Sequence, residues 1–242
     1  MKNIIITGAS GGIGSEIART LAGHNTRLIL IYNRHFRDAE KLRDELSSRC
    51  EVSIFKCDLT NTNEINNISN EIISQYKVID CLINCAGVSL SQQVQDITDP
   101  DYHFVIDNNL KSCIMMTKYI SKNMISNKNG KIINISSIWG KVGASMESLY
   151  SASKGAINSF TLSLAKELGP SNITVNAICP GLIDTSMNAE YSSKDLQNII
   201  DSTPISRIGK PKDVANLVAF LCSNEADFIT GQIITIDGGL TL

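Results

Sequence analysis

Short apolar runs alternate along this chain with longer segments in which apolar positions recur at helical spacing. Brief β-branched runs are typical of buried strands, whereas recurrence every three or four residues is typical of amphipathic helices. The predicted strands are residues 3–7, 27–32, 52–57, 78–84, 131–136, 173–179 and 232–236. The predicted helices are residues 13–21, 37–48, 63–76, 102–123, 150–168 and 212–221.

The regular alternation of strand and helix predicts an α/β fold with a parallel sheet. We expect about seven strands in a doubly wound, Rossmann-type arrangement with helices on both faces. No repeat, low-complexity tract or linker interrupts the pattern, so residues 1–242 are predicted to form a single domain. Residues 184–207 are polar, with several serines and no strong period. Because they follow a strand at the edge where such sheets bind ligands, they are a candidate substrate lid.

Composition and charge narrow the functional classes. Hydrophobic residues make up 43% of the chain and charged residues 19%, which is typical of a globular protein with a sizeable core. The net charge of −2 gives no general attraction to nucleic acid or to an anionic membrane, so neither partner is expected. No apolar run approaches the roughly 20 residues of a membrane span, and glycine follows Met1 too soon for a secretory signal. A cytoplasmic protein is expected.

The seven cysteines are scattered, mostly within apolar runs, and none forms a C-x-x-C pair. An odd number of scattered cysteines favours free thiols in a reducing compartment over a disulfide framework or a zinc site. No metal site is predicted.

A glycine-rich turn follows the first strand and precedes a helix. Its glycines have the spacing G-x-x-x-G-x-G, with Gly11 as an additional glycine. Strand, glycine turn and helix open a dinucleotide-binding unit, because glycine lets the backbone approach a pyrophosphate at the helix N-terminus. Turn chemistry alone would also account for these glycines. The residues of this turn expected to bind a cofactor are Gly8, Ser10, Gly12, Ile13 and Gly14.

The ends of the second and third strands carry candidates for the other half of the cofactor. The second strand ends in Tyr32, Asn33 and Arg34, with no carboxylate for a ribose 2′-hydroxyl. Asn33 and Arg34 are therefore predicted to bind the 2′-phosphate of NADP, although a solvent-exposed loop arginine would look the same. Asp58 and Leu59 follow the third strand. The carboxylate of Asp58 could accept from an adenine amino group or cap the next helix.

Candidate catalytic residues surround the start of the helix at 150–168. Ser137 falls where the fifth strand ends, and Tyr150 and Lys154, four residues apart, share one helix face. An ammonium beside a phenol favours the phenolate and brings tyrosine, whose ordinary pKa is ~10, closer to the range of general acid–base catalysis. Ser137 would hold the oxygen of a carbonyl or alcohol while Tyr150 gives or takes the proton. An ordinary amphipathic pair and a turn serine are the alternative.

With these motifs, the chain resembles the short-chain dehydrogenase/reductase family over nearly its whole length. The motifs that carry the resemblance are the glycine turn, Asp58, N-C-A-G at 84–87, Asn109, Ser137, Tyr150-x-x-x-Lys154, and Pro180-Gly181 with Thr185. The resemblance implies a nicotinamide cofactor. The further cofactor-binding residues that it implies are Asn84, Ala86, Gly87, Pro180, Gly181, Ile183, Thr185 and the catalytic pair Tyr150 and Lys154.

The same resemblance implies a role for each catalytic residue. Tyr150 would be the acid/base, Lys154 would lower its pKa and hold the nicotinamide ribose, and Ser137 would orient the substrate. Asn109 would support a proton relay through water. Together these roles imply hydride transfer between the cofactor and a carbonyl or alcohol carbon.

Residues 173–185 and 223–239 especially resemble 3-oxoacyl-[acyl-carrier-protein] reductases. This implies NADPH-dependent reduction of a 3-oxoacyl thioester, delivered on an acyl carrier protein, by a homotetramer. The chain departs from such reductases at Cys85 within N-C-A-G, at Gly11 where many NADPH-using relatives carry arginine, and at Ser171, which leaves Lys128 without its basic docking partner. The alternatives are a reductase or dehydrogenase of another ketone or alcohol (a cyclic ketone, quinone or sugar) and a non-catalytic cofactor-binding sensor.

Overall fold

A single parallel sheet runs through the centre of the molecule. The computed structural model describes residues 1–188 and 191–242, and seven strands are found in this part of the chain. The strands are β1 (Lys2–Thr7), β2 (Thr26–Tyr32), β3 (Glu51–Lys56), β4 (Cys81–Asn84), β5 (Gly130–Ile135), β6 (Ile173–Pro180) and β7 (Ile233–Ile236). Their order is β3-β2-β1-β4-β5-β6-β7, and all neighbours are parallel. The predicted Rossmann-type parallel sheet is confirmed.

Helices cover both faces of this sheet. The described helices are α1 (Gly12–Leu21), α2 (Phe36–Leu46), α3 (Thr62–Tyr76), α4 (Asp99–Ile106), α5 (Ser112–Asn127), α6 (Trp139–Val142), α7 (Ser148–Leu168), α8 (Ser193–Ser202) and α9 (Pro211–Cys222). None of them combines the length and apolar character needed to cross a membrane.

Strand β1 shows why the apolar runs are continuous rather than alternating. Ile4 and Ile6 pack on one face with residues of α1 and α9, whereas Ile5 packs on the other face with residues of α3 and α5. All three are essentially inaccessible to solvent. A parallel strand covered by helices on both faces is therefore apolar on both sides rather than alternately apolar and polar.

The strand order reverses between β1 and β4. From β1 the chain continues outward to β2, whereas from β4 it continues outward to β5 on the other side. The connections therefore leave a crevice at the carboxyl ends of β1 and β4, where doubly wound sheets bind ligands.

The helix predicted at 102–123 differs in its bounds and regularity. Thr98 caps α4 in a capping box with Asp101, so the helix begins earlier than its apolar pattern suggests. A π-helical segment, Asp107–Lys111, then joins α4 to α5. Likewise, β4 begins at Cys81 rather than at residue 78, since the preceding residues form the connection from α3.

The candidate lid at 184–207 is not simply a loop. Ser192 and Asp195 form a capping box that starts α8, a helix that the polar composition of the segment concealed. Residues 189–190 of the lid lie outside the described residues.

Candidate active site

The turn after β1 shows why its glycines are needed. Gly8 has φ +65°, a left-handed conformation that residues with a Cβ rarely adopt, and a Cβ there would lie 2.8 Å from the Ala86 Cα. A Cβ on Gly12 would lie 2.8 Å from the Thr185 Cγ2. These glycines therefore let α1 approach both the chain after β4 and the chain after β6.

The N-terminus of α1 is open to an anion. Gly11 is its N-cap and has no side chain to accept from the first amides, and residues 12–15 include no acidic side chain. Those amides lack intrahelical partners and carry the positive end of the helix dipole, so they can bind a phosphate. Ser10 is half-buried in the preceding turn. The turn after β1 thus lies at the carboxyl edge of the sheet. It contains the predicted cofactor-binding residues Gly8, Ser10, Gly12, Ile13 and Gly14.

The end of β2 lies beside this turn, since the Ala9 amide donates to the Ile31 carbonyl at 3.2 Å. Asn33 is half-buried there and Arg34 is exposed. Among the residues that the structure describes, Arg34 takes part in no ion pair, whereas Arg19 pairs with a glutamate. The guanidinium donors of Arg34 are therefore available to an anion.

Asp58 orders the turn after β3. Its Oδ1 accepts from the Thr60 amide at 2.9 Å and from the Thr60 hydroxyl at 2.8 Å. Asn61, not Asp58, caps α3 by accepting from two of its first amides, so the helix-cap interpretation of Asp58 is wrong. The side chain of Leu59 is buried against the core on the α3 side of the sheet.

Thr7 fixes the loop after β4 against β1. Its Oγ1 accepts from the Cys85 and Ala86 amides at 3.0 and 3.1 Å. These bonds hold Ala86 and Gly87 next to the glycine turn, because Thr7 immediately precedes that turn.

Asn84 is tied into a buried polar network. Its Nδ2 donates to Thr117 Oγ1 at 3.0 Å and to Asn134 Oδ1 at 2.9 Å, and Asn134 donates onward to Thr161 Oγ1 at 2.9 Å. The side chain of Asn84 therefore joins β4 to β5, α5 and α7. Its Oδ1 is buried and has no hydrogen-bond partner among the described residues.

Ser137, Tyr150 and Lys154 lie together at the carboxyl end of β5. Ser137 acts to lower the pKa of the Tyr150 phenol against its burial, and the Ser137 hydroxyl accepts from the Trp139 amide at 3.2 Å. Lys154 Nζ lies 5.6 Å from the Tyr150 ring centroid and donates to the Ile135 carbonyl at 3.0 Å. The three residues are only 7%, 8% and 4% exposed.

Burial dominates the protonation of this group. It raises the pKa of Tyr150 to about 12; Ser137 opposes this rise and the negative charge of Glu147 adds to it. Burial also lowers the pKa of Lys154. Burial therefore sets the direction of the Tyr150 shift in the protein without cofactor, and the lowering of the Tyr150 pKa by Lys154 that the resemblance implies stays a prediction.

Asn109 lies in the π-helical segment, and both the oxygen and the nitrogen of its side-chain amide form hydrogen bonds. Its Oδ1 accepts from the Val88 amide at 2.7 Å, and its Nδ2 donates to the Val88 carbonyl at 2.9 Å and to Ser153 Oγ at 3.0 Å. A Cβ on Gly87 would lie 3.2 Å from Asn109 Oδ1 and 3.3 Å from Lys154 Nζ. Gly87 therefore keeps space open between the amide and the ammonium.

The chain after β6 forms the opposite wall. Pro180 ends the strand, and the Gly181 amide continues the hydrogen bonding to β7. Ile183 pairs with Gly209 in an isolated parallel bridge, and Thr185 Oγ1 lies 3.5 Å from the Ile183 carbonyl oxygen. The predicted cofactor-binding residues of this segment thus follow one another along the carboxyl edge of the sheet. They are Pro180, Gly181, Ile183 and Thr185.

A cavity of about 350 Å³ lies between this wall and the lid. Its lining includes Ile183, Thr185, Tyr191, Leu196 and Ile208. Apolar side chains from the chain after β6 and from α8 therefore line a space large enough for a small organic group. Within the described residues, no three His, Cys, Asp or Glu side chains cluster as a metal site would require.

Three contributors to the site carry no clear signal in the sequence. Ser153 accepts from the Asn109 amide. A Cβ on Gly140 would lie 2.6 Å from the Lys154 carbonyl carbon, so glycine lets α6 pack against α7. Burial raises the pKa of Glu147, and Tyr191 on the lid opposes this rise. The sequence could have suggested only the role of Gly140, because a glycine indicates close packing. The roles of Ser153 and Tyr191 depend on residues distant in the chain.

Comparisons with known proteins agree on one family. Residues 8–241 match the family described as Enoyl-(Acyl carrier protein) reductase. The uncharacterized oxidoreductase YmfI of Bacillus subtilis is 39% identical over 240 residues, 98% of each chain. The 3-oxoacyl-[acyl-carrier-protein] reductase FabG of Buchnera aphidicola is 36% identical over 99% of this chain and 97% of its own. The crystal structure of gox2181 matches with a TM-score of 0.94 and 30% identity over 99% of this chain and 95% of that one.

Proposed function

The chain belongs to the short-chain dehydrogenase/reductase family, and on that basis we propose that it reduces a ketone with NADPH, using Tyr150 as the proton donor. The observation that carries the proposal is the buried group of Ser137, Tyr150 and Lys154, in which Lys154 Nζ lies 5.6 Å from the Tyr150 ring and burial raises the pKa of the phenol to about 12. A phenol with this pKa is fully protonated at neutral pH. It can therefore give its proton to the oxygen of a carbonyl as negative charge develops there.

Members of this family bind a nicotinamide cofactor, and the residues present fit one. The close approach of Gly12 to Thr185 leaves no room for a side chain at position 12. The uncapped α1 amides would hold the pyrophosphate, and Arg34 would hold the 2′-phosphate that distinguishes NADPH from NADH. When bound, the cofactor supplies the hydride.

The remaining cofactor contacts follow the carboxyl edge of the sheet. The Asp58 carboxylate and the Leu59 backbone would face the adenine. Lys154 and Tyr150 would hold the nicotinamide ribose, while the Ile183 backbone and the Thr185 hydroxyl would hold the carboxamide. The backbone of the loop after β4 would line the gap between them, because Gly87 keeps that gap free of a side chain.

Ser137 and Asn109 support the proton transfer in different ways. The Ser137 hydroxyl is buried with the Tyr150 phenol and would hydrogen-bond the substrate oxygen, which would orient the carbonyl toward Tyr150. Asn109 holds the loop at Val88 and the Ser153 hydroxyl on α7. Its part in a relay through water rests on this fixed position beside Lys154.

The substrate that we propose is a 3-oxoacyl thioester. Relatives named 3-oxoacyl-[acyl-carrier-protein] reductase align over nearly the whole chain. The cavity under the lid is lined by Ile183, Leu196 and Ile208, which suit an acyl chain. An acyl carrier protein is the proposed donor of this substrate, although Ser171 leaves its docking surface with the single basic residue Lys128.

We further propose a cytoplasmic homotetramer. The cysteines are all free thiols, as expected in a reducing compartment. Large apolar side chains are exposed on α4 and α7, at Phe104 and Leu162, and near the C-terminus, at Phe228 and Leu242. Two separate apolar surfaces of this kind support two types of subunit contact.

A substrate screen tests the proposed function. The purified protein is mixed with NADPH and, in turn, with an acetoacetyl thioester, a cyclic ketone, a quinone and a keto-sugar, and nicotinamide absorbance is followed. Oxidation of NADPH with the thioester, abolished in Tyr150→Phe, is expected. Turnover of another ketone but not of the thioester would leave a reductase with a different substrate. No turnover of any carbonyl compound would favour a cofactor-binding sensor.

A further inference from the structure

A lysine ties the π-helical segment to the turn after β3. Lys111 is the last residue of the segment Asp107–Lys111, and its Nζ donates to the Thr60 carbonyl at 2.9 Å across 51 positions of the chain. The same Nζ lies 3.6 Å from Asp107 Oδ2, one helical turn earlier. Lys111 is half-buried rather than exposed. Its ammonium is therefore held between two elements that are far apart in the sequence.

The ion pair with Asp107 does not account for this placement. An ion pair between residues four positions apart on a solvated helix surface contributes little, and 3.6 Å is too long for a strong hydrogen bond. The bond to the Thr60 carbonyl is shorter, and its ammonium donor makes it stronger than a bond between neutral groups. By contrast, Lys118, two turns farther along on α5, is exposed. The contact with Thr60 is thus the one that holds the Lys111 side chain.

Thr60 is the residue that orients Asp58. Asp58 Oδ1 accepts from the Thr60 amide at 2.9 Å and from the Thr60 hydroxyl at 2.8 Å. In the part of the chain that the structure describes, no group donates to Asp58 Oδ2, so this oxygen is available to a ligand. Because Lys111 holds the Thr60 carbonyl, the amide, hydroxyl and carbonyl of Thr60 are all engaged. Through Thr60, Lys111 therefore fixes the direction of the free oxygen of Asp58.

The turn after β3 belongs to the adenosine half of the proposed cofactor site. The Cys57 amide donates to the Tyr32 carbonyl at 2.9 Å, so the turn begins beside the end of β2, which Arg34 follows. Asn109, two residues before Lys111, belongs to the nicotinamide half. The π-helical segment therefore directs one side chain to each half of the site. Segments of this kind are frequent at functional sites.

We propose, on the basis of the proposed reductase function, that Lys111 is a positioning residue for the adenosine half of NADPH. It holds the turn after β3 so that Asp58 presents its free oxygen to the adenine amino group before the cofactor arrives. Preorganisation of this kind increases affinity, because less ordering is needed on binding. Lys111 acts through Thr60 and Asp58 and not by direct contact with the cofactor.

The test measures the two halves of the cofactor separately. Affinities for NADPH, for adenosine 2′,5′-bisphosphate and for reduced nicotinamide mononucleotide are measured by calorimetric titration, and steady-state kinetics give KM and kcat with NADPH. The variants are Lys111→Met, which removes the donor, and Lys111→Arg, which keeps one. Lys118→Met is the control, because it removes the same charge from an exposed position on α5.

Lys111→Met is expected to weaken binding of NADPH and of adenosine 2′,5′-bisphosphate about tenfold, which corresponds to the loss of one charge-assisted hydrogen bond. The KM for NADPH should rise with little change in kcat, and the affinity for reduced nicotinamide mononucleotide should not change. Lys111→Arg and Lys118→Met should bind both halves as the original protein does. A double variant tests the route, since Lys111→Met should add no further loss in Asp58→Ala, which lacks the oxygen that Lys111 positions.

Equal weakening of both halves, or no weakening of either, would overturn the inference and leave the proposed function intact if the ketone is still reduced. An equal loss in Lys118→Met would assign the effect to net charge and also overturn it, as would a further tenfold loss in the Asp58→Ala background. Weakened binding of the bisphosphate alone, with no reduction of any ketone by the original protein, would support the inference and reject the proposed function.

Discussion

Lys154 Nζ lies 5.6 Å from the Tyr150 ring centroid and is anchored on the Ile135 carbonyl at 3.0 Å. The ammonium is therefore held by β5 rather than by the phenol itself. Tyr150 remains protonated at neutral pH because burial raises its pKa to about 12. This relationship suits a proton donor in ketone reduction.

The first prediction separates the roles of Tyr150 and Lys154. Tyr150→Phe removes the proton donor and keeps the ring, so turnover is expected to fall by at least ~10²-fold while NADPH affinity stays nearly unchanged. Lys154→Ala is expected to reduce both the turnover and the affinity for NADPH. Steady-state kinetics and fluorescence titration of NADPH measure these effects. A near-normal rate in Tyr150→Phe would exclude the mechanism.

The second prediction concerns cofactor choice. Arg34→Ala is expected to weaken the preference for NADPH over NADH by about 1.5–3 kcal/mol, the free energy of a hydrogen bond to a charged group. The matched control is Arg37→Ala, since Arg37 is also exposed and lies at the start of α2. Values of kcat/KM with each cofactor give the preference. Equal use of NADPH and NADH by the unmodified protein would contradict it.

The third prediction concerns carrier docking. Asn172 Nδ2 donates to the Lys128 carbonyl at 3.3 Å, so the loop that contains Ser171 lies next to Lys128. With only one basic residue there, a thioester on a small handle is expected to be reduced about as well as one on an acyl carrier protein. Ser171→Arg is expected to raise kcat/KM for the carrier-bound substrate alone, by roughly fivefold, because a charge at the rim of an interface mainly increases the association rate.

Ser48→Arg is the control for Ser171→Arg, since it adds the same charge at an exposed position beyond α2. Equal acceleration by both variants would show a general effect of net charge. A strong preference of the unmodified protein for the carrier-bound thioester would show that Lys128 alone is sufficient.

The fourth prediction is a pH dependence of stability. Burial raises the pKa of Glu147, so its protonated form is favoured in the folded protein. Its contribution to stability is therefore complete below the pKa of the unfolded chain, about 4.3, and is lost as the pH rises through the folded pKa. Glu147→Gln should unfold at a slightly higher temperature than the original protein at pH 7, by on the order of 2 °C, and at the same temperature in acid.

Thermal unfolding followed by circular dichroism from pH 4 to pH 8 measures this difference. Exposed Glu167→Gln should show no such dependence. A variant Glu147→Gln that is less stable than the original protein at pH 7 would show that the carboxylate is a net stabilising group.

The fifth prediction is the homotetramer. Light scattering is expected to give four times the chain mass of 26.3 kDa. Leu162→Arg places a charge on the exposed apolar face of α7 and should produce a smaller species. Val94→Arg, at another exposed apolar position outside α4 and α7, should remain tetrameric. A monomer mass for the unmodified protein would refute the prediction.

Local patterns in the sequence were sufficient to predict much of the fold and which residues lie together in the site. The apolar runs identify the strands because a parallel strand covered on both faces is mostly apolar on both sides, as Ile4, Ile5 and Ile6 show. The spacing of Tyr150 and Lys154 places them on one helix face because the helical period is local. The polar lid concealed α8, since its start depends on a capping box at Ser192 rather than on an apolar period.

What the tertiary structure decided depends on burial and on contacts between distant residues. The resemblance implies that Lys154 lowers the pKa of Tyr150, and packing around the phenol raises it in the protein without cofactor, because desolvation depends on every element that covers the group. Contacts between distant residues also decide the environment of Asn109, whose amide binds Val88 and Ser153. The sequence determined which groups are available, and the folded chain determined their protonation and their partners.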